Sequence, residues 1–219
     1  MTDLDTARTQ VVTACRKLAD EGLVIGSAGN VSVRVGDRIA VTATGARFEQ
    51  LTAEHVTVVD LDGTVAAGDL APTSEIDLHL GIYRGFGTGA VVHTHAPVGT
   101  AVGLVIDELP CIHYQMLLLG GAVRVAPYAT FGSPELAAAV LAALEGKAAA
   151  LMANHGTVTH AATIDAAIEH ALLLEWAATV YWRAASIGTP RALDADAQQA
   201  VITAVTTRRY GALRTQESA

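Results

Sequence analysis

The 219-residue sequence predicts a mixed α/β domain with a central, largely antiparallel sheet covered by helices on both faces. Three observations carry that expectation. Two alternating or β-branched runs, residues 31–35 and 38–42, flank Gly36-Asp37, which is the pattern of a hairpin with a primed turn. Helical apolar spacing is interleaved with further short strands along the whole chain. Any G-x-G-x-x-G motif and the regular parallel βαβ pattern are absent.

Taken in order, residues 4–20 have the apolar spacing of a helix that ends near Gly22. The hairpin follows, then a strand over 56–61 closed by the Asp62-Gly63 turn. Residues 74–86 read as a helix, with Ser74 or Thr73 as its N-cap. A strand over 90–95 enters a helix begun by Pro97. Residues 123–127 form a strand, and Ser133-Pro134-Glu135 opens a helix through Ala143. A strand over 148–153 runs into Asn154-His155-Gly156, and two helices, about 163–187 and 194–209, complete the chain. No linker or repeat interrupts this order, so one domain over 1–219 is expected, with residues 211–219 as a flexible tail.

Composition narrows the function classes. The apolar fraction is 51% but aromatics are only 5%, so alanine-rich helices and valine-rich strands supply the core and leave room for buried subunit faces. No apolar run reaches the ~18 residues of a membrane span. Residues 1–10 carry three charges and no apolar run, so no secretory leader is expected. A net charge of −8, with no basic cluster beyond Arg208-Arg209, argues against a nucleic-acid partner. Cys15 and Cys111 are far apart and outside any CxxC pair, which fits free buried thiols in a reducing cytoplasm.

The chemistry gathers around histidines. His93 and His95 end a strand, and residues at i and i+2 project from the same face. A catalytic zinc site takes three protein ligands and keeps a fourth position open. His155 is the third candidate, because it too ends an apolar strand and precedes Gly156, where the backbone is free to turn sharply. His55, His160 and His170 read as solvated, and His113 as a structural, hydrogen-bonded ring. Glu75 lies in Pro72-Thr73-Ser74-Glu75 at a helix start, where hydroxyls and first-turn N–H groups attract anions and a carboxylate beside a metal can move protons. His79, four residues on, is placed to orient it. Ser27-Ala28-Gly29-Asn30 and Thr42-Ala43-Thr44-Gly45 are two more loops of small residues and hydroxyls suited to cradling phosphate oxygens.

These motifs, GSAGNVSVR, TATG, PTSE, AVVHTHA, IHY, APYATFGS, NHG and RRYGALR, resemble the class II aldolase and adducin-head family over essentially the whole chain. The resemblance is strongest to its bacterial L-fuculose-1-phosphate aldolase branch. It implies zinc held by His93, His95 and His155, with Glu75 as a resting fourth ligand that becomes the catalytic acid/base when substrate displaces it. It implies phosphate bound among Gly29, Asn30, Thr44, Gly45, Thr73 and Ser74. It also implies a homotetramer in which Tyr114 and Tyr210 reach the neighbouring subunit's site, and Phe131 lining the aldehyde pocket. The activity so implied is reversible cleavage of a ketose 1-phosphate into dihydroxyacetone phosphate and a small aldehyde such as lactaldehyde. A methylthioribulose-1-phosphate-type dehydratase and a pentose-phosphate 4-epimerase share much of this set, although the epimerases usually carry aspartate at Glu75. An adducin-like interaction module would not need three histidines. Thr73 stands where the aldolases usually have serine, and Thr157 where they have an apolar residue.

Overall fold

The early hairpin seeds the sheet. Strand β1 (Asn30–Val35) turns through Gly36-Asp37 into β2 (Arg38–Thr42), with Val35 opposite Arg38. Gly36 takes φ +59°, the positive value a primed turn requires at its first position. The computed structural model describes residues 3–208. Seven further strands are β3 (Val56–Asp60), β4 (Val65–Ala67), β5 (Ala90–Thr94), β6 (Glu108–Leu109), β7 (Val123–Ala126), β8 (Ala149–Met152) and β9 (Gly156–Ala161). Together they form one sheet in the order β4-β3-β2-β1-β5-β9-β8-β7-β6. Neighbours are antiparallel except β7 and β8, which run parallel.

Strand alternation assigns each face its helices. Val31, Val33 and Val92 pack on Val11 and Leu18 of α1 (Asp3–Asp20) and on Ile168 of α5 (Ile164–Ala185). Ile39, Val41 and Val91 face the other way, onto Leu78 and Ile82 of α2 (Ile76–Phe86) and Val140 and Leu144 of α4 (Pro134–Leu144). At the β7–β8 end, Val123 and Leu151 close over Val102 of α3 (Pro97–Val102) and Leu174 of α5. The last helix is α6 (Ala195–Arg208). The predicted class therefore holds: a single mixed α/β domain, sheet between helices.

Several local expectations are corrected. The helix expected from 74 begins at Ile76, with Glu75 at its N-cap position and no side-chain cap. Thr73 instead closes a turn: its hydroxyl accepts from the Glu75 N–H at 3.3 Å and its carbonyl from the Ile76 N–H at 3.1 Å. Strand β9 lies at the middle of the sheet, between β5 and β8, and had no counterpart in the sequence reading. Its polar Thr157 and Thr159 hide it from a hydrophobic pattern, yet both are buried. The short strands β4 and β6 also lacked a signal. Ser133 caps α4 as expected, accepting from the Leu136 N–H at 3.2 Å. Both cysteines are buried and free, and no helix among the described residues is long and apolar enough to cross a membrane. The expected tail, 211–219, lies outside the described residues.

Candidate metal centre and active site

The site forms where β1, β5 and the β8–β9 turn meet the start of α2. β5 pairs Asn30 with His93 on one side and Thr94 with Thr157 on the other, so the end of the strand is fixed from both edges. Gly29 takes φ +106°, and a Cβ there would sit 2.9 Å from the His93 carbonyl oxygen, so only glycine lets this loop lie against the strand end. The expected sharp turn at Gly156 is made by Asn154, the only non-glycine residue among those described with positive φ (57°). Gly156 serves close approach, since a Cβ there would collide with the Thr94 carbonyl oxygen.

Three imidazoles converge. His93, His95 and His155 each offer a ring nitrogen, all within 4.8 Å of one another, with Nε2 of His93 3.2 Å from Nε2 of His95. His93 is fully buried, and its Nδ1 lies 2.9 Å from the Thr157 carbonyl oxygen, which only accepts. The Nδ1 proton is thereby fixed and Nε2 is aimed inward. This gives Thr157 a structural account: its carbonyl orients His93, and its hydroxyl pairs with that of Thr94 at 2.8 Å. Burial, then the neighbouring imidazoles, push the pKa of His95 and that of His155 down to about 4, so both rings are neutral at physiological pH.

Glu75 faces this cluster, with Oε2 3.2 Å from His93 Nε2 and Oε1 3.4 Å from His155 Nε2. Burial raises its pKa, but the contacts with His93, Asn30 and His155 together hold it below the ordinary carboxylate range. Three ring nitrogens that face one another within 4.8 Å, beside a carboxylate with a buried oxygen lacking a hydrogen-bond partner, cannot all be satisfied by one another. A divalent cation among them resolves it, so the donor set fits a metal.

The expected link between His79 and Glu75 exists but runs through Asn30. The Asn30 Nδ2 donates to Glu75 Oε2 at 2.9 Å, and its Oδ1 lies 2.5 Å from His79 Nε2. His79 is fully buried, and burial lowers its pKa to about 3. The Asn30 side-chain amide is thus bonded at both ends, to Glu75 and to His79.

An open cleft of about 470 Å³ lies over this centre. Gly29, Asn30, Thr44, Gly45, Thr73, Ser74, Glu75, His95, His155 and Phe131, all singled out in the sequence, line it together. Loops 42–45 and 71–75 are tied by the Thr44 N–H to the Ala71 carbonyl (3.0 Å) and the Thr73 N–H to the Thr42 carbonyl (2.9 Å). Those two N–H groups are therefore spent, and Thr44 and Thr73 offer hydroxyls. Gly132 takes φ +70°, and a Cβ there would press on the Ser74 carbonyl oxygen at 2.6 Å, so glycine is what lets loop 128–133 lie this close to Ser74 beside the cleft.

With that geometry in hand, the sequence matches the family described as Class II Aldolase and Adducin N-terminal domain over residues 9–182. The chain belongs to that family. This aldolase is 38% identical over 197 residues to the 5-methylthioribulose-1-phosphate/5-deoxyribulose-1-phosphate aldolase of Rhodospirillum rubrum, spanning 89% of each. It is 36% identical over 195 residues to the L-fuculose phosphate aldolase of Escherichia coli K12, spanning 88% of this chain and 90% of the relative. A solved L-fuculose 1-phosphate aldolase shares its fold with a TM-score of 0.89 at 29% identity, over 94% of this chain and 98% of the other. The chain is accordingly an aldehyde-lyase of the class II type.

Not every expected residue joins the cleft of this aldolase. Tyr114 opens a 3-10 segment (Tyr114–Leu119), lies against His113 with the rings tilted and their centroids 4.5 Å apart, and lines an apolar groove against α6. Tyr210 lies outside the described residues. Tyr128 and Asn154 line the cleft and were missed; the Tyr-Ala-Thr-Phe-Gly run and the position before His155 were the available signals. His160 and His170 are half-buried and hydrogen-bonded rather than solvated, His160 to the Lys147 carbonyl and His170 to that of His160.

Proposed function

We propose that the chain cleaves a ketose 1-phosphate between C3 and C4, releasing dihydroxyacetone phosphate and a small aldehyde, with zinc bound by His93, His95, His155 and, at rest, Glu75. One observation carries this reading: a three-imidazole, one-carboxylate donor set opens onto a cleft walled by three loops of hydroxyls and glycines. Three imidazoles with a carboxylate favour zinc over the harder divalent cations. Bound there, the metal supplies a Lewis acid that polarises the substrate carbonyl.

The residues of the chain do the rest. The hydroxyls of Thr44, Thr73 and Ser74, with the backbone around Gly29 and Gly45, hold the phosphate monoester and so fix where C3 falls. Glu75, once substrate takes its place, removes or returns the C3 proton. Phe131 and Tyr128, each 66% exposed at the rim, line the side from which the aldehyde leaves. Tyr114 of a neighbouring copy exchanges the proton of the C4 oxygen, and Tyr210 helps to cover the site. That assembly is a homotetramer with sites at subunit interfaces, working in the cytoplasm.

L-Fuculose 1-phosphate is the proposed substrate type, in keeping with the relatives of that name. A second reading is favoured by the Rhodospirillum relative: 5-deoxyribulose or 5-methylthioribulose 1-phosphate, whose cleavage releases acetaldehyde or methylthioacetaldehyde. Purified protein incubated with the three ketose phosphates, with dihydroxyacetone phosphate measured enzymatically and the aldehydes by mass spectrometry, tests both. Release of dihydroxyacetone phosphate from at least one is expected, and the preferred substrate selects between the readings. Loss of water without cleavage would replace the aldolase reading by a dehydratase.

A further inference from the structure

We propose that His79 is a positioning residue that, through Asn30, sets which oxygen of Glu75 is anchored and which takes the substrate proton. The inference rests on the aldolase reading for the role of Glu75. Its basis is a continuous buried chain of side chains, Glu75–Asn30–His79–Ser32–Tyr83, that joins the cleft to the interior between β1 and α2.

The direction of every bond in that chain follows from its cleft end. An ionised carboxylate only accepts, so the Asn30 amide must turn its NH2 toward Glu75 Oε2, 2.9 Å away. The Asn30 carbonyl oxygen then faces His79 Nε2 at 2.5 Å and also only accepts, so Nε2 carries the ring proton. His79 Nδ1 is left as the acceptor for the Ser32 hydroxyl at 2.7 Å. Ser32 Oγ in turn accepts from the Tyr83 hydroxyl at 2.8 Å. All five residues are at most 6% exposed, so water does not stand in for a missing partner. With the other His79 tautomer, a lone pair would face the Asn30 oxygen. The amide would have to rotate and bring that oxygen against the carboxylate.

Anchoring at Oε2 differentiates the two oxygens of Glu75. Oε1 is buried and has no hydrogen-bond partner among the described residues. When the C3–H bond of the substrate breaks, its electron pair remains in the enediolate and the new O–H bond forms at Oε1. Oε2 keeps its bond from Asn30 in both protonation states, so the carboxyl group stays tethered at that oxygen when substrate displaces it.

Nitrogen-15 NMR of the histidine rings in the metal-loaded protein reads the tautomer without any turnover, and His79 is expected to be protonated at Nε2 with a bare Nδ1. Exchange of the C3 hydrogen of dihydroxyacetone phosphate with deuterated solvent reads the consequence. His79→Leu should slow it roughly tenfold to a hundredfold, the size of a lost hydrogen bond to a charged group, at unchanged metal content and KM for the ketose phosphate. His79→Gln, whose amide donates from about the position of Nε2, should recover most of that loss. Tyr83→Phe, which keeps the packing and removes only the far donor, should slow exchange about severalfold and serves if the leucine variant does not fold. An Nδ1-protonated His79, or wild-type exchange in both His79→Leu and Tyr83→Phe, overturns the proposal. Absence of exchange in the unaltered protein overturns the aldolase reading instead, whatever the tautomer.

Discussion

At the scale of single residues, the histidines of the centre and the carboxylate opposite them do separable things, and substitution should pull them apart. His155 brings one lone pair to a cluster in which His93 is locked by the Thr157 carbonyl and His95 follows directly on β5. Its removal leaves two imidazoles and a carboxylate that substrate must displace, so only two protein ligands would hold the metal during turnover, one short of the three a catalytic zinc site takes. Glu75 sits within reach of the same centre, but its chemistry is proton transfer. His155→Ala should therefore lose bound metal and turnover together, with the fold intact by circular dichroism. Glu75→Gln should keep metal and still bind a dihydroxyacetone phosphate analogue, while C3 exchange falls by ~10²–10⁴-fold, the range for losing a general acid/base. Metal analysis of the two purified variants beside the exchange assay checks the contrast. A His155→Ala protein with full metal, or a Glu75→Gln protein with wild-type exchange, contradicts the proposed roles.

At the scale of elements, the anion-binding loops work because their backbones are already spoken for. Thr44 donates its N–H to Ala71, and Thr73 donates its own to Thr42, so loops 42–45 and 71–75 hold each other before any ligand arrives. Removing the Thr44 hydroxyl should leave that framework standing. Thr44→Ala is expected to raise KM for a ketose 1-phosphate about ten- to hundredfold, from roughly 1.5–3 kcal/mol per hydrogen bond to a charged group, with kcat little changed. A steady-state comparison decides this, and an unaltered KM would remove Thr44 from the phosphate site. These loops were legible in the sequence because glycines and hydroxyls at strand ends are local signals. The hairpin, the Pro97 and Pro134 helix starts and the three histidines were legible for the same reason. What escaped depends on contacts distant in the chain. Strand β9 is polar at Thr157 and Thr159 because those side chains are satisfied by Thr94 and by the Ala167 carbonyl, partners no periodicity encodes. Likewise Asn30 reads as a phosphate-loop residue until α2 places His79 and Glu75 on either side of it.

At the scale of the whole molecule, the proposed reaction asks for a proton donor at the C4 oxygen, and Tyr114, the residue proposed for it, does not line the cleft of its own chain. Tyr114 stands on another part of the surface, where Leu118, Ile202 and Val205 expose apolar side chains around it. An exposed apolar surface of this kind is what a subunit contact covers. In a closed ring each copy would then lend its Tyr114 to the next, and neither Glu75 nor Tyr114 would complete a site within its own chain. Mixing separates this arrangement from one in which each chain is self-sufficient. Glu75→Gln and Tyr114→Phe chains, each weakly active alone, are co-expressed with different tags so that mixed assemblies are purified. If Tyr114 acts across the interface, a site works when an intact Glu75 meets a neighbour's intact Tyr114. Random mixing makes that about a quarter of all sites, and hence about a quarter of wild-type activity per chain. If both residues served the same chain, every site in the mixture would carry one defect, and activity would stay at the mean of the two variants. Recovery toward a quarter, with a sedimentation mass above that of one chain, is the expected result; activity at the variants' mean excludes a Tyr114 acting in trans.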